Sequence, residues 1–217
     1  MTRAFAALPS AGAPNAVGDP AGYLFAAQNT QHVIYRAADH HIHELWWDAD
    51  GWHHHDPTGD NDAPNAAGDP AGYVVDTECT QHIVYRSDDQ HIYELLWTAD
   101  AGWSHNDLTM AAAGAPNAVG DPVGYLFAAQ NTQHVIYRAT DHHIHELWKD
   151  ASGWHHHDPT GDNGAPDAVS DPAGYVFAAQ GTEHIIYRRK DGHLMELWWI
   201  DGNWSHKDVT VEALQNS

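Results

Sequence analysis

A stretch running from Gln31 to Asp56, QHVIYRAADHHIHELWWDADGWHHHD, recurs along this chain of 217 residues. It returns at Gln81–Asp107 as QHIVYRSDDQHIYELLWTADAGWSHND and at Gln133–Asp158 as QHVIYRATDHHIHELWKDASGWHHHD. The last copy, Glu183–Asp208, reads EHIIYRRKDGHLMELWWIDGNWSHKD. A leader precedes each copy, APNAVGDPAGYLFAAQNT in the first. A unit of about fifty residues thus fills nearly the whole chain, and such a period means an array of like units. The repeats fall at 12–62, 63–113, 114–163 and 164–217, within a single domain spanning 1–217. Residues 1–11 form a small-residue leader that frays or joins an edge strand.

Within the first unit, four apolar runs (Tyr23–Ala27, His32–Ala37, His41–Asp48 and Trp52–Asp56) are rich in Tyr, Val, Ile and Trp. GDPAG, QNT, AADH and DADG separate them and supply the Asp, Pro, Asn and Gly that turns need. No segment holds helical apolar spacing over eleven residues without a Gly or Pro, so each unit reads as a four-stranded meander. Val33, Ile34 and Tyr35 are apolar in succession, which suits a sheet packed on both faces. Four-stranded sheets joined radially by long polar links give an all-β fold, a β-propeller of four blades. Eight blades completed by dimerisation is the rival count, so the chain is expected as a monomer or a homodimer. Repeats 1 and 3 share HIHELW and GWHHHD, whereas repeats 2 and 4 carry WSHND and WSHKD. That alternation marks a duplicated two-blade unit with pseudo-twofold symmetry and two alternating site types.

The 42% apolar residues, with ten Trp and nine Tyr, are enough for a real core despite a net charge of −21. So acidic a surface argues against nucleic acid and anionic membranes as partners. Protonating all 20 His would bring the charge to about −1, so solubility should fall at about pH 5–6. The lone Cys79 excludes a disulfide framework and a Cys-based zinc site. No apolar run approaches membrane-spanning length and the start lacks a secretory h-region. The expectation is cytoplasmic residence, with release by a non-classical route as the alternative, and no membrane insertion.

The strand–turn–strand signature Y-R-x-x-D-x-x-I-x-E-L-W-W-D-x-x-G-W, from Tyr35 to Trp52, resembles the blade motif of the tectonin-like and the fungal and bacterial β-propeller lectins. These include the fucose-binding propellers and their relatives from insect-associated bacteria. The resemblance covers about half of the chain and implies sugar pockets at or between blades. It places the blade glutamate of the fucose-binding type on Glu44, Glu94, Glu146 and Glu196, and the closing tryptophan on Trp52, Trp103, Trp154 and Trp204. That type's sugar-holding arginine falls on Val33, Ile83, Val135 and Ile185, where this chain has none.

A lectin site needs an aromatic platform for the apolar face of a pyranose and planar polar groups for its hydroxyls. Each blade offers that set. It comprises His32, Tyr35, Arg36, Glu44 and Trp52; then His82, Tyr85, Arg86, Glu94 and Trp103. Next come His134, Tyr137, Arg138, Glu146 and Trp154, and last His184, Tyr187, Arg188, Glu196 and Trp204. The expected partners are glycans or glycoconjugates, bound with avidity through repetition. The purely structural alternative makes Arg36 and Glu44 a cross-strand ion pair, with Trp46 and Trp47 serving blade packing. The Asp-Pro pairs at Asp19, Asp69, Asp121 and Asp171 set turns before the inner strand, or coordinate a cation near a central channel.

Histidines supply the rival reading, a non-catalytic propeller scaffold that binds a protein partner or a divalent metal through its His-rich strands and loops, with His41, His43, His143 and His145 as candidate metal ligands. No tight metal signature is present, and His43 becomes Tyr93 and Met195 in the even repeats, so no cofactor is expected. Nor is an enzyme expected: no nucleophile elbow or phosphate loop occurs, and one Glu per repeat gives no asymmetric carboxylate pair.

Overall fold

The computed structural model describes residues 12–215; the 1–11 leader lies outside them. Four antiparallel sheets are present, each a meander in chain order. Blade 1 holds β1 (Ala21–Phe25), β2 (Thr30–Arg36), β3 (Ile42–Asp48) and β4 (Gly51–His55). Blade 2 holds β5 (Ala71–Val75), β6 (Thr80–Arg86), β7 (Ile92–Thr98) and β8 (Gly102–Asp107). Blade 3 holds β9 (Val123–Phe127), β10 (Thr132–Arg138), β11 (Ile144–Asp150) and β12 (Gly153–His157). Blade 4 holds β13 (Ala173–Phe177), β14 (Thr182–Arg188), β15 (Leu194–Ile200) and β16 (Asn203–Asp208). The all-β propeller of four blades is therefore present. The inner strand starts and stops earlier than its apolar run suggests, because Ala26–Gln28 winds into a 3-10 turn ending on Asn29 at φ 56°.

Two local devices shape every blade. The turn between the second and third strands puts His40, Gln90, His142 and Gly192 at φ 67°, 69°, 70° and 90°. In blade 1 the Asp39 carboxylate accepts the His41 N–H at 3.1 Å, the self-bonding that favours Asp in such turns. At the outer end, Asp56, Asp107, Asp158 and Asp208 accept the backbone N–H three residues on, at 2.7–2.9 Å. The segments after the outer strands therefore begin with helical turns that their polar composition hides: a 3-10 turn at Gly59–Asn61, α1 (Leu108–Ala111), α2 (Pro159–Asp162) and, after the last strand, α3 (Val209–Gln215). Each of these Asp residues also holds a His at 2.7–2.8 Å: His41, His91, His143 and His193 respectively. This recurring His–Asp pair clasps the outer strand to the turn below it.

Register decides what meets what. His32 faces Trp46 and Ile34 faces Glu44, so His32, Ile34, Arg36, Glu44 and Trp46 share one face. Val33, Tyr35, Leu45, Trp47 and Trp52 share the other. The first face of each blade packs on the second face of the next. Ile34 and Ile42 meet Ile83, Tyr85 and Leu95; Val84 and Ile92 meet Val135, Tyr137 and Leu147; Ile136 and Ile144 meet Ile185, Tyr187 and Leu197. Each such apolar side chain, fully buried, contributes about 1.5–3 kcal/mol. The fold is thus held by cores between blades, as nearest-neighbour repeats require.

Candidate functional site

The sequence-predicted residues do not assemble blade by blade; they divide between the two faces. Tyr35, Tyr85, Tyr137 and Tyr187 are buried and donate their hydroxyls to the carbonyls of Pro14, Pro64, Pro116 and Pro166, at 2.6–3.0 Å. They tie each blade to its leader and line neither of the clefts described below. Arg36, Arg86 and Arg138 reach Asp69, Asp121 and Asp171 of the next blade at 3.4–3.5 Å. Those arginines therefore stitch blades together, and do not pair with the blade's own Glu as the structural alternative held. The Asp-Pro pairs at Asp69, Asp121 and Asp171 are the other half of this stitch, and Asp69 also accepts the Asp19 N–H at 2.9 Å.

Glu44 is paired instead with His32. In all four blades a Thr hydroxyl contacts Nε2 of the His at 2.7–2.8 Å, and His Nδ1 contacts the Glu at 2.7–2.9 Å. An inner-strand Tyr stacks on each imidazole, Tyr23 on His32 at 5.0 Å and Tyr73 on His82 at 4.7 Å. The relay fixes one carboxylate oxygen and the ring orientation. The Thr and Tyr members, Thr30 and Tyr23 in blade 1, escaped the sequence reading although the T-x-H spacing is constant.

Two clefts open over these relays, each straddling a blade boundary. Between blades 1 and 2, a space of about 520 Å³ is lined by His32, Glu44, Trp46 and His55 on one side and by Gln81, Trp97 and Trp103 on the other. Between blades 3 and 4, about 260 Å³ is lined by His134, Glu146, Trp148 and His157 against Glu183, Trp199 and Trp204. The closing Trp therefore comes from the following blade. Trp46, expected to serve blade packing, is a wall of the first cleft with Trp97, and Trp148 and Trp199 wall the second. Trp46 stacks on His53 at 4.8 Å and Trp148 on His155 at 4.1 Å; Trp97 and Trp199 make T-shaped contacts with Phe25 and Phe127. At the boundary between blades 2 and 3 the corresponding wall positions are Leu96 and Lys149, and Lys149 lies over Trp154 at 5.9 Å. Two equivalent clefts and one altered boundary match the alternation of repeats.

Electrostatics separate the two clefts further. Glu183 stands where Gln81 and Gln133 stand in blades 2 and 3. Burial and the nearby Glu146 charge push Glu183 up to about 7. Burial opposes the charge on His134, but hydrogen bonds to Glu146 and Glu183 outweigh it and raise that imidazole to about 9. Burial likewise opposes ionised Glu94, yet His82 and Asn106 hold its carboxyl below the usual range. The Glu146–Glu183 pair is an asymmetry the repeat pattern did not announce. Both are buried, and their oxygens and a His134 nitrogen lie within 4.8 Å of one another.

The candidate metal residues do come together. Asp39, His41, His43 and Asp56 bring ligand-type atoms within 4.8 Å of one another, as do Asp141, His143, His145 and Asp158. Each imidazole already has a partner: His41 pairs with Asp56 at 2.8 Å, and His43 pairs with Asp39 at 3.1 Å and with His54 at 3.0 Å. Burial and the adjacent His43 or His145 hold His54 and His156 below the ordinary imidazole range.

No family model matches the chain, and no curated protein does. Solved structures do. A SapL1 lectin in complex with alpha methyl fucoside matches at TM-score 0.58 and 16% identity over 87% of this chain and 63% of that one. AofleA from Arthrobotrys oligospora matches at TM-score 0.61 and 17% identity, over 87% and 55%. The BP39L lectin from Burkholderia pseudomallei matches at TM-score 0.60 and 14% identity, over 86% and 54%. The chain spans less than two thirds of each. Ile83, Val135 and Ile185, on which the sequence resemblance places the arginine of the fucose-binding type, are wholly buried between blades. In fold, the chain resembles the fucose-binding β-propeller lectins.

Proposed function

We propose that the chain is a multivalent, non-catalytic carbohydrate-binding protein, with sugars held in the clefts between blades 1 and 2 and between blades 3 and 4. One observation carries the reading: Trp46, Trp97 and Trp103 surround an oriented carboxylate, Glu44, and the same arrangement recurs at Trp148, Trp199, Trp204 and Glu146. Indole faces cover the apolar side of a pyranose, and fixed carboxylate, amide and imidazole groups share its hydroxyls. The fold likeness to lectins supports the class. The buried Val and Ile at the arginine position direct the sugar away from the arginine-held mode. A glycan array tests the proposal, run on the parent, on a folded Trp103→Ala/Trp204→Ala variant and on Trp154→Ala. Binding by the parent and by Trp154→Ala, lost in the double variant, is expected; glycan binding by none of the three overturns it.

A second reading rests on the two Asp–His–His–Asp clusters of the odd blades, which have the chemistry of a zinc-class site. A melting temperature raised by added zinc and lowered by chelator, and lost in His43→Ala/His145→Ala, would establish it. No response to either would remove it.

A further inference from the structure

The three blade boundaries repeat one set of contacts, and the two outermost faces carry both halves of that set unpaired. At each boundary an inner-strand Tyr donates to the Gln or Glu of the next blade: Tyr23 to Gln81, Tyr73 to Gln133 and Tyr125 to Glu183, at 3.1, 3.2 and 2.5 Å. An Arg reaches the next Asp, as described above. A leader Ala donates its N–H back to the preceding blade's turn: Ala66 to His40, Ala118 to Gln90 and Ala168 to His142, at 2.7–2.8 Å.

Blade 4 has the forward half of this set and blade 1 the receiving half. Tyr175 and Phe177 are 47% and 45% exposed, whereas Phe25 and Phe127 are 0% and 2%. Leu194 is 44% exposed, whereas Ile42, Ile92 and Ile144 are wholly buried. On blade 1, Ala16 and Gln31 are exposed where Ala66, Ala118, Gln81 and Gln133 are buried. Among the described residues, Arg188 has no acidic partner and Asp19 no basic one, and β13 does not pack on β1 as β9 does on β13.

We propose that the free face of blade 4 receives the free face of blade 1 of a second copy of this chain, head to tail. Continuity with the internal boundaries identifies the occupant: Tyr175 meets Gln31, Arg188 meets Asp19, and the Ala16 N–H meets the Gly192 carbonyl. Gly22 supplies the bare backbone over which the Tyr175 ring lies, as Gly72 does for Tyr23. The blades depart from strict repetition at Ser170, which stands where Gly18, Gly68 and Gly120 admit an Asp. A Cβ at Gly18 would lie 1.8 Å from the Asp69 carboxylate tip, so the incoming Asp19 rotates and accepts from the Ser170 hydroxyl. Two copies joined at both ends form an eight-blade ring, within the size range of propellers. The seam also builds a further cleft in which Glu196 and Trp198 of one copy face Trp47 and Trp52 of the other. Only that cleft's ligand class rests on the proposed sugar binding; the assembly does not.

Sedimentation of the whole chain at neutral pH tests the seam without any sugar, against the 23.9 kDa of one copy. The expected result is a species of twice that mass. Arg188→Asp and Asp19→Arg each place like charges at both seams and should weaken assembly at least about tenfold. An equimolar mixture of the two variants restores one opposite-charge pair at each seam and should return the dimer. Gly22→Ala, whose Cβ meets nothing nearer than 3.6 Å within the chain, should leave melting of the single copy intact and weaken assembly. A parent that stays at one-copy mass at high concentration overturns the proposal. So does a dimer indifferent to all three substitutions, or one that mixing fails to restore.

Discussion

The Tyr23 hydroxyl bridges Glu44 of its own blade, at 3.3 Å, and Gln81 of the next, at 3.1 Å. Its ring lies so close over Gly72 that an added Cβ there would sit 2.5 Å from the ring carbons. Burial and the Glu44 charge push its phenol well above the usual range, so Tyr23 stays a neutral donor at all ordinary pH. One side chain thus orients the cleft carboxylate and closes the blade boundary.

Gly72→Ala and Gly124→Ala should each destabilise the fold by about 1–3 kcal/mol, because Tyr23 and Tyr73 have no room to give. Thermal melting of each variant against the parent checks this. A melting temperature unchanged in both would contradict the packing described.

Glu183→Gln recreates at the third boundary the amide that Gln81 and Gln133 supply at the first two. The folded-state pKa of Glu183 is raised to about 7, above that of a free carboxyl. Folding therefore binds a proton here, and the parent loses stability as pH rises from about 4.5 through 7. The variant should melt higher than the parent at pH 8, by several degrees for about 1–2 kcal/mol, and equal it near pH 5. Equal melting at both pH values would exclude a buried, proton-binding Glu183.

Leu96→Trp with Lys149→Trp should build a third walled cleft between blades 2 and 3, opposite Trp154. Titration with the best glycan from the array should then show one more site per chain than the parent has. An unchanged stoichiometry in a folded variant would mean that the Trp walls do not define the site.

Acid should bring the protein out of solution. The chain carries −21 with His neutral and has a sequence pI near 5.1. Self-repulsion fades as the exposed imidazoles protonate at about pH 5–6. Turbidity across that range, reversed on returning to neutral pH, is the expected outcome; a clear solution throughout would contradict it.

Blade number and strand order were legible in the sequence, because a long repeat with short apolar runs leaves few other architectures. The grouping of site residues was not. Residues adjacent in a repeat, such as Glu44 and Trp52, point to opposite faces, so the cleft joins Glu44 to Trp103, a whole repeat away. Period-two alternation carries that information within a strand, but which blade faces which is a tertiary fact. Trp46 reads as a packing residue in the sequence because apolar runs do not distinguish a core from a half-exposed wall. Arg36 and Asp69 looked like separate motifs until the blade boundary brought them together. Glu183 was visible as a lone departure from Gln, yet only the proximity of Glu146 and His134 gives it a chemical consequence.

On the proposed reading, sugar lies across blade boundaries, between a Trp-walled side and a His-oriented carboxylate. A crystal structure of the chain soaked with the best glycan from the array tests it most directly. The account predicts a pyranose stacked on Trp103 and hydrogen-bonded to Glu44, a second on Trp204 and Glu146, and none between Leu96 and Lys149. Sugar seated within a single blade, or on the histidine clusters at His43 and His145, would contradict it.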